Sequence, residues 1–305
     1  MNYVTCEIKS AEGIGSLFQY ILSCYFFSKI MNLQFVYTPI KNIEHISWSN
    51  YNSQEDWDDM WNNYIVNHLL PKNIILLNNI LNKNINIIKN SLNFENYENT
   101  LFILDSSYIH KSCLDINLNT KPYIIEELSS NYFTNMYNIE NYYDKTKINI
   151  AVHIRRYTIT DCDPCSSREL YIKNGDTDCY FYSLMSNLIE LLKCKEKQIV
   201  FHIFTQISNE EDNTIFNHYF NLKNDNVEIF LHKGNDTLSD IHHMIISDIL
   251  LLSKSSFSAI ANYYTKGISI IRNNFCHTLK NPLISVDSNG NFNDSQRKYI
   301  LDNFN

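Results

Sequence analysis

The chain has 305 residues, a formal net charge of −8 and a pI near 5.7, with 44% hydrophobic and 13% aromatic residues. That much apolar side chain excludes a disordered chain, and the length accommodates two domains that each bury a core. The acidic balance excludes a protein whose whole surface binds nucleic acid, and with no run of about eighteen apolar residues no membrane span is expected.

In chain order, "YVTCEI" reads as a first strand. "GIGSLFQYILSCYFFSKIMN" reads as a turn and an apolar helix, and "LQFVYTP" as a second strand, so the chain opens as βαβ. "DWDDMWNNYIVNHLL" puts Trp57, Met60, Trp61, Tyr64, Ile65, His68 and Leu69 on one helical stripe closed by Pro71. Such a stripe belongs to a core more often than to a ligand box. Residues 73–100 are rich in Asn and Ile and leave the element type open. "TLFILDSS" is a further buried strand, two short helices fit between Asn119 and Lys147, and the boundary between lobes is expected at Asn141 to Lys147. This gives domains of 1–145 and 146–305.

From Ile148 the runs "INIAVHIR", "QIVFHIF", "VEIFL", "DILLLS" and "ISII" alternate with helical patterns around Tyr180–Lys193, Asn209–Leu222, Leu238–Ile246 and Phe257–Tyr264. Continuous apolar strands separated by helices predict a parallel sheet covered on both faces. Ligands of such sheets sit beyond the carboxyl ends of the strands, so the chemistry is expected just after Ile154, Phe204, Leu231 and Leu252.

At the first of these ends stand His153, Arg155 and Arg156. A guanidinium grips a phosphate with two parallel hydrogen bonds and does not titrate near neutrality. The bland alternative is a surface pair bridged to Asp161 and Asp163. After "DILLLS", Ser255 and Ser256 open an apolar helix. Serines there cap exposed N–H groups, and the same N–H groups attract a phosphate. Asp240 can accept hydrogen bonds from a nucleobase edge or remain a solvated helix acid. The adjacent His242 and His243 share no helix face and have no ligand spacing around them. "AEGIGSLFQY" has a strand, a GxG turn at Gly13 and Gly15 and a helix, but it lacks the third glycine of a dinucleotide fingerprint. "CDPC" is a lone C-x-x-C best read as an Asp-Pro turn, Cys179 and Cys194 leaving only a remote four-thiolate set. The eight cysteines in a chain with no secretory signal read as free thiols, which favours a cytoplasmic protein.

These pieces resemble a known group. "GIGSLFQYILSCYFFSKIMNLQFVYTP" is similar to the early glycine loop and helix of GDP-fucose-dependent fucosyltransferases, the α1,2-, α1,6- and protein O-linked branches with a GT-B architecture. "HIRR" resembles their H-x-R-x donor motif, "IVFHIFTQISNEED" the strand and acidic turn that follow, and "DIHHMIISDILLLSKSSFS" the closing donor-site motif. Together they run from Gly13 to about Ser258 in the family's order. The resemblance implies two Rossmann-like lobes with parallel sheets facing a central cleft, the acceptor on the N-terminal lobe and the nucleotide sugar on the C-terminal one. It implies an inverting, metal-independent transferase moving L-fucose from GDP-fucose to a hydroxyl of a glycan or glycoprotein, with no cofactor.

Residue by residue, the resemblance assigns Arg155 to the β-phosphate, Ser255 and Ser256 to the pyrophosphate, and His153 and Asp240 to guanosine, with Arg156 alongside in the donor motif. Gly15 and the following Ser16 lie where the family's loop approaches the donor. The acidic stretch after the arginines offers Asp163, then Asp161, as general base, or as loop caps. Departures are Ser16 where the family often has Asn, Thr158 where an Asp commonly follows the arginines, and "TQI" at Thr205 to Ile207 in place of "TDD". They leave two alternatives open: a same-fold transferase using another nucleotide sugar, or a catalytically inactive nucleotide-sugar or glycan-binding protein.

Overall fold

The computed structural model describes residues 1–7, 13–37, 75–77, 96–105, 114, 117–135, 141–155, 178–205, 213–233, 237–275 and 277–304. The chain forms two compact units that part between Ile139 and Glu140, with His277–Lys280 returning to the first. The aromatic stripe Trp57–Leu69 lies outside the described residues.

The first unit opens with β1 (Tyr3–Glu7), α1 (Ile14–Ile30) and β2 (Gln34–Phe35), followed by β3 (Ile75–Leu77), β4 (Thr100–Asp105) and α2 (Pro122–Asn135). Its sheet runs β2-β1-β4-β3 with every pairing parallel. Helix α1 buries residues around most of its circumference, including Phe18, Ile21, Leu22, Tyr25, Phe26 and Phe27. A helix apolar all round belongs inside a core. Its buried serines satisfy themselves locally, Ser23 donating to the Gln19 carbonyl and Ser28 to the Tyr25 carbonyl, both at 2.7 Å. Glu127 of α2 joins α1 by accepting from Tyr25 at 2.9 Å and pairing with Lys29 at 2.5 Å. The stretch from Asn119 to Lys147, expected to hold two short helices, carries α2 as its α-helix among the described residues.

In the second unit β5 (Ile148–His153), α3 (Asp178–Leu192), β6 (Ile199–Thr205), a 3₁₀ run (Asn213–Leu222), β7 (Val227–Lys233), α4 (Thr237–Ile246), β8 (Ile249–Leu252), α5 (Ser256–Tyr264), β9 (Ile268–Arg272), β10 (Leu283–Val286) and α6 (Asp294–Asp302) follow in order. The sheet order is β10-β9-β8-β5-β6-β7, all parallel, so it reverses direction of growth at β5. Every residue of β5, β6 and β8 is buried, which is why these strands read as unbroken apolar runs. One face, with Ile150, Val152, Phe201, Ile203 and Leu251, packs on Phe181, Leu184 and Leu188 of α3. Against the other lie α4, packed on β5, and α5, packed on β8. The expected α/β class with Rossmann-like parallel sheets is the observed one. Strand β10 and helix α6 were not anticipated from the sequence.

Two local features hold this sheet in register. Asp248, just before β8, accepts from the Asn149 N–H at 2.8 Å and returns its own N–H to the Asn149 carbonyl at 3.0 Å. Burial pushes its carboxyl upward despite those hydrogen bonds. At Gly267, before β9, a Cβ would lie 2.7 Å from the Asp248 carbonyl oxygen and closer still to that of Ser247, so only glycine lets the backbones approach this closely.

Candidate functional site

The carboxyl ends of β5 and β8 lie side by side where the strand order reverses, the position at which open α/β sheets hold ligands. Chain pairing does not stop at the last residue of β5. Ile154 N–H donates to the Phe204 carbonyl at 3.0 Å, and the Thr205 hydroxyl donates to the Ile154 carbonyl at 2.9 Å. Arg155 follows directly and is partly exposed.

His153 points from the end of β5 to the turn between β8 and α5. Its Nδ1 lies 2.9 Å from Ser253 Oγ and in a short contact with Ser258 Oγ, and the two hydroxyls are 3.2 Å apart. All three residues are buried, and the Phe257 ring lies 5.2 Å from the imidazole. Burial, with Arg155 close by, drives the His153 pKa down to about 3. The ring is therefore neutral at physiological pH.

Ser255 is the N-cap of α5, with an extended backbone (φ −139°, ψ 137°) and a hydroxyl that accepts from Phe257 N–H at 3.2 Å. Ser255 and Ser256 are half-buried. Capping is thus one function of Ser255, and it leaves the other N–H groups of that first turn with the positive end of the helix dipole.

Asp240 lies in the first turn of α4, and α4 packs on α5 and on β5. Its charge acts on Tyr142 and Tyr143: the Tyr142 hydroxyl is held above its usual pKa by desolvation first and then by Asp240, and that of Tyr143 by burial first, then by Tyr142 and Asp248, with Asp240 adding least. Tyr142 stacks on His243 at 3.6 Å between centroids and on His232 at 4.8 Å, and His202 Nδ1 meets His232 Nε2 at 3.1 Å. This stack of tyrosines and histidines covers the β6–β7 half of the sheet. Sequence reading missed it, although the signal was there: His202 and Phe204 on β6, and Phe230 and His232 on β7, recur at the period of one strand face.

Of the expected site residues, the structure brings His153, Arg155, Ser255 and Ser256 to one edge of the second unit. Asp240 is on the adjoining helix. Gly15 and Ser16 belong to the first unit, in the first turn of α1 behind its N-cap Gly13. Arg156, Asp161 and Asp163 lie outside the described residues, as do Thr158, Gln206 and the CDPC turn. Ser253 and Ser258 were not anticipated. Among the described residues no group of three or more His, Cys, Asp or Glu is placed to hold a metal, and no helix is long and apolar enough to cross a membrane. Cys6, Cys24, Cys179 and Cys194 are free thiols.

Fold and site together define an α/β protein of two parallel-sheet units, the second a Rossmann-like sheet with a basic, helix-capped edge. No protein-family model matches the chain. No curated protein matches it either. Solved structures do: POFUT1 in complex with GDP-fucose aligns at 11% identity and a TM-score of 0.39, covering 93% of this chain and 97% of that one. POFUT1 in complex with GDP aligns at 11% identity and 0.42 over the same shares, and its apo form at 12% and 0.40 over 94% and 97%.

Proposed function

We propose that the chain is an inverting glycosyltransferase that moves L-fucose from GDP-fucose to a hydroxyl of a glycan or protein, with the donor on the second unit and the acceptor on the first. The observation that carries this reading is the pairing at one sheet edge of Arg155, at the end of β5, with the capped N-terminus of α5. Of the family-like motifs, His153 and Arg155 of HIRR and the KSSFS turn fall on these same elements.

The chemistry follows from charge. The acceptor oxygen attacks the anomeric carbon from the face opposite the phosphate, and the bond from that carbon to the phosphate oxygen breaks. GDP leaves with the electron pair, and the acceptor's proton passes to a carboxylate, for which Asp163 and then Asp161 are the candidates. A preorganised guanidinium and helix N–H groups stabilise the charge that grows on the departing diphosphate. They supply the positive potential that a divalent ion would otherwise provide, so transfer in excess EDTA is expected to equal transfer without it. Activity that returned only with added Mg²⁺ or Mn²⁺ would overturn this arrangement.

Guanosine selectivity tests the donor directly. A carboxylate at Asp240 accepting from guanine N1–H and the exocyclic amine makes two charge-assisted hydrogen bonds, and uracil offers one ring donor. Calorimetry is expected to find GDP bound more tightly than UDP, with Asp240→Ala narrowing the gap by weakening GDP. Equal affinities in the unmodified protein would remove the guanosine assignment.

A further inference from the structure

The motif resemblance sends the His153 imidazole to guanosine and gives no role to Ser253 and Ser258, with which His153 forms a buried triangle. In the structure the residue is buried, 6% exposed, and its Nδ1 is engaged by two hydroxyls. Those hydroxyls come from opposite sides of one turn. Ser253 follows the last residue of β8, and Ser258 sits in the first turn of α5. The turn between them is closed by Ser255 N–H donating to the Ser253 carbonyl at 2.8 Å, and it presents the helix N-terminus. One side chain of β5 thus grips both sides of the β8–α5 turn. Just beyond it the segment that leads to Arg155 is pinned to β6 by the hydrogen bonds of Ile154 with Phe204 and Thr205.

We propose that His153 is a positioning residue: through Ser253 and Ser258 it sets the spacing between Arg155 and the N-terminus of α5, and it does not itself touch the nucleotide. The inference rests on the donor-site reading above and refines it. A strut of this kind has to keep one protonation state. Burial supplies that condition, since the ring stays neutral far below physiological pH. Two groups that grip one diphosphate lose most of their effect when they move independently, because binding then has to order them.

The test uses two amides that imitate different ends of the ring. The asparagine amide reaches the place of Nδ1, and the glutamine amide reaches the place of Nε2. Calorimetry with GDP is expected to find His153→Asn within about threefold of the unmodified protein and His153→Gln weaker by about tenfold, the scale of one or two hydrogen bonds. The ratio is expected to be the same at pH 5.5 and pH 8. Should His153→Gln fail to fold, Ser258→Ala removes one hydroxyl and leaves the ring, and it is expected to weaken GDP by about three- to tenfold. Affinity preserved by Gln and lost with Asn would mean that the ring meets the nucleotide through Nε2 and would overturn the positioning role alone, as would an unchanged affinity in Ser258→Ala. A folded, unmodified protein that bound no GDP would instead overturn the donor reading, and the positioning role with it.

Discussion

Arg155 carries the largest single expectation at the residue scale. It stands past a strand end that is hydrogen-bonded on to Ile154, so its backbone is fixed while its side chain is long enough to follow a ligand. Loss of a charged contact to phosphate costs about 1.5–3 kcal/mol, or roughly ten- to a hundredfold in binding. Arg155→Ala is expected to lose that much affinity for GDP and more in turnover. Arg155→Lys is expected to recover little, because a point charge cannot reproduce the planar fork. Near-normal transfer by a folded Arg155→Ala protein would refute the phosphate assignment. How far such residues can be read from sequence depends on what makes them visible. Arg155 and Ser255 announce themselves by following apolar strands. The partnership of His153 with Ser253 and Ser258 is invisible in the same text, because it joins positions about a hundred residues apart and is defined only by the pairing of β5 with β8.

The elements show the same division. Strands β5, β6 and β8 were legible because burial on both faces leaves long apolar runs. Strand β10 was not, since it is a four-residue edge strand that alternates, and helix α6 was not, since Ile300 is its buried residue. Helix α6 is instead held by a capping box, Asn293 accepting from Gln296 N–H at 2.9 Å and Gln296 accepting from Asn293 N–H at 3.0 Å. Asn293→Ala is therefore expected to cost about 0.5–2 kcal/mol in denaturant unfolding. Gly267→Ala is expected to cost about 1–3 kcal/mol, because its methyl group meets backbone carbonyls of Ser247 and Asp248 that cannot rotate away. A Gly267→Ala protein as stable as the parent would show that β8 and β9 can separate at that point without loss.

For the molecule as a whole, pH acts through buried histidines. Burial first, and neighbouring histidines second, lower His202 to about 3 and His232 and His242 to about 4. An unfolded histidine takes its proton near pH 6.5, so between that value and the folded pKa the unfolded chain binds more protons than the native one. Stability of the second unit is thus full above about pH 6.5 and falls as pH drops towards 4, by up to about 1.4 kcal/mol per pH unit for each such ring. Denaturant midpoints followed from pH 8 to pH 4 are expected to stay level and then decline. His202→Gln is expected to flatten the decline, and an unchanged profile in that variant would clear His202 of the effect.

The placement of β5 between β6 and β8 also has a consequence during synthesis. The strand is the first of its sheet to leave the ribosome. It can pair at once with β6, but its other edge waits for β8, which is made only after β7 and α4. A nascent chain stalled after residue 233 therefore carries β5 with one row of backbone groups unsatisfied, a surface that chaperones and proteases recognise. Pulse proteolysis of stalled chains is expected to cut within residues 148–153 until β8 and α5 have emerged, and to spare them afterwards. The two halves of the candidate site are translated far apart, so a chain released before Ser258 lacks the second half altogether.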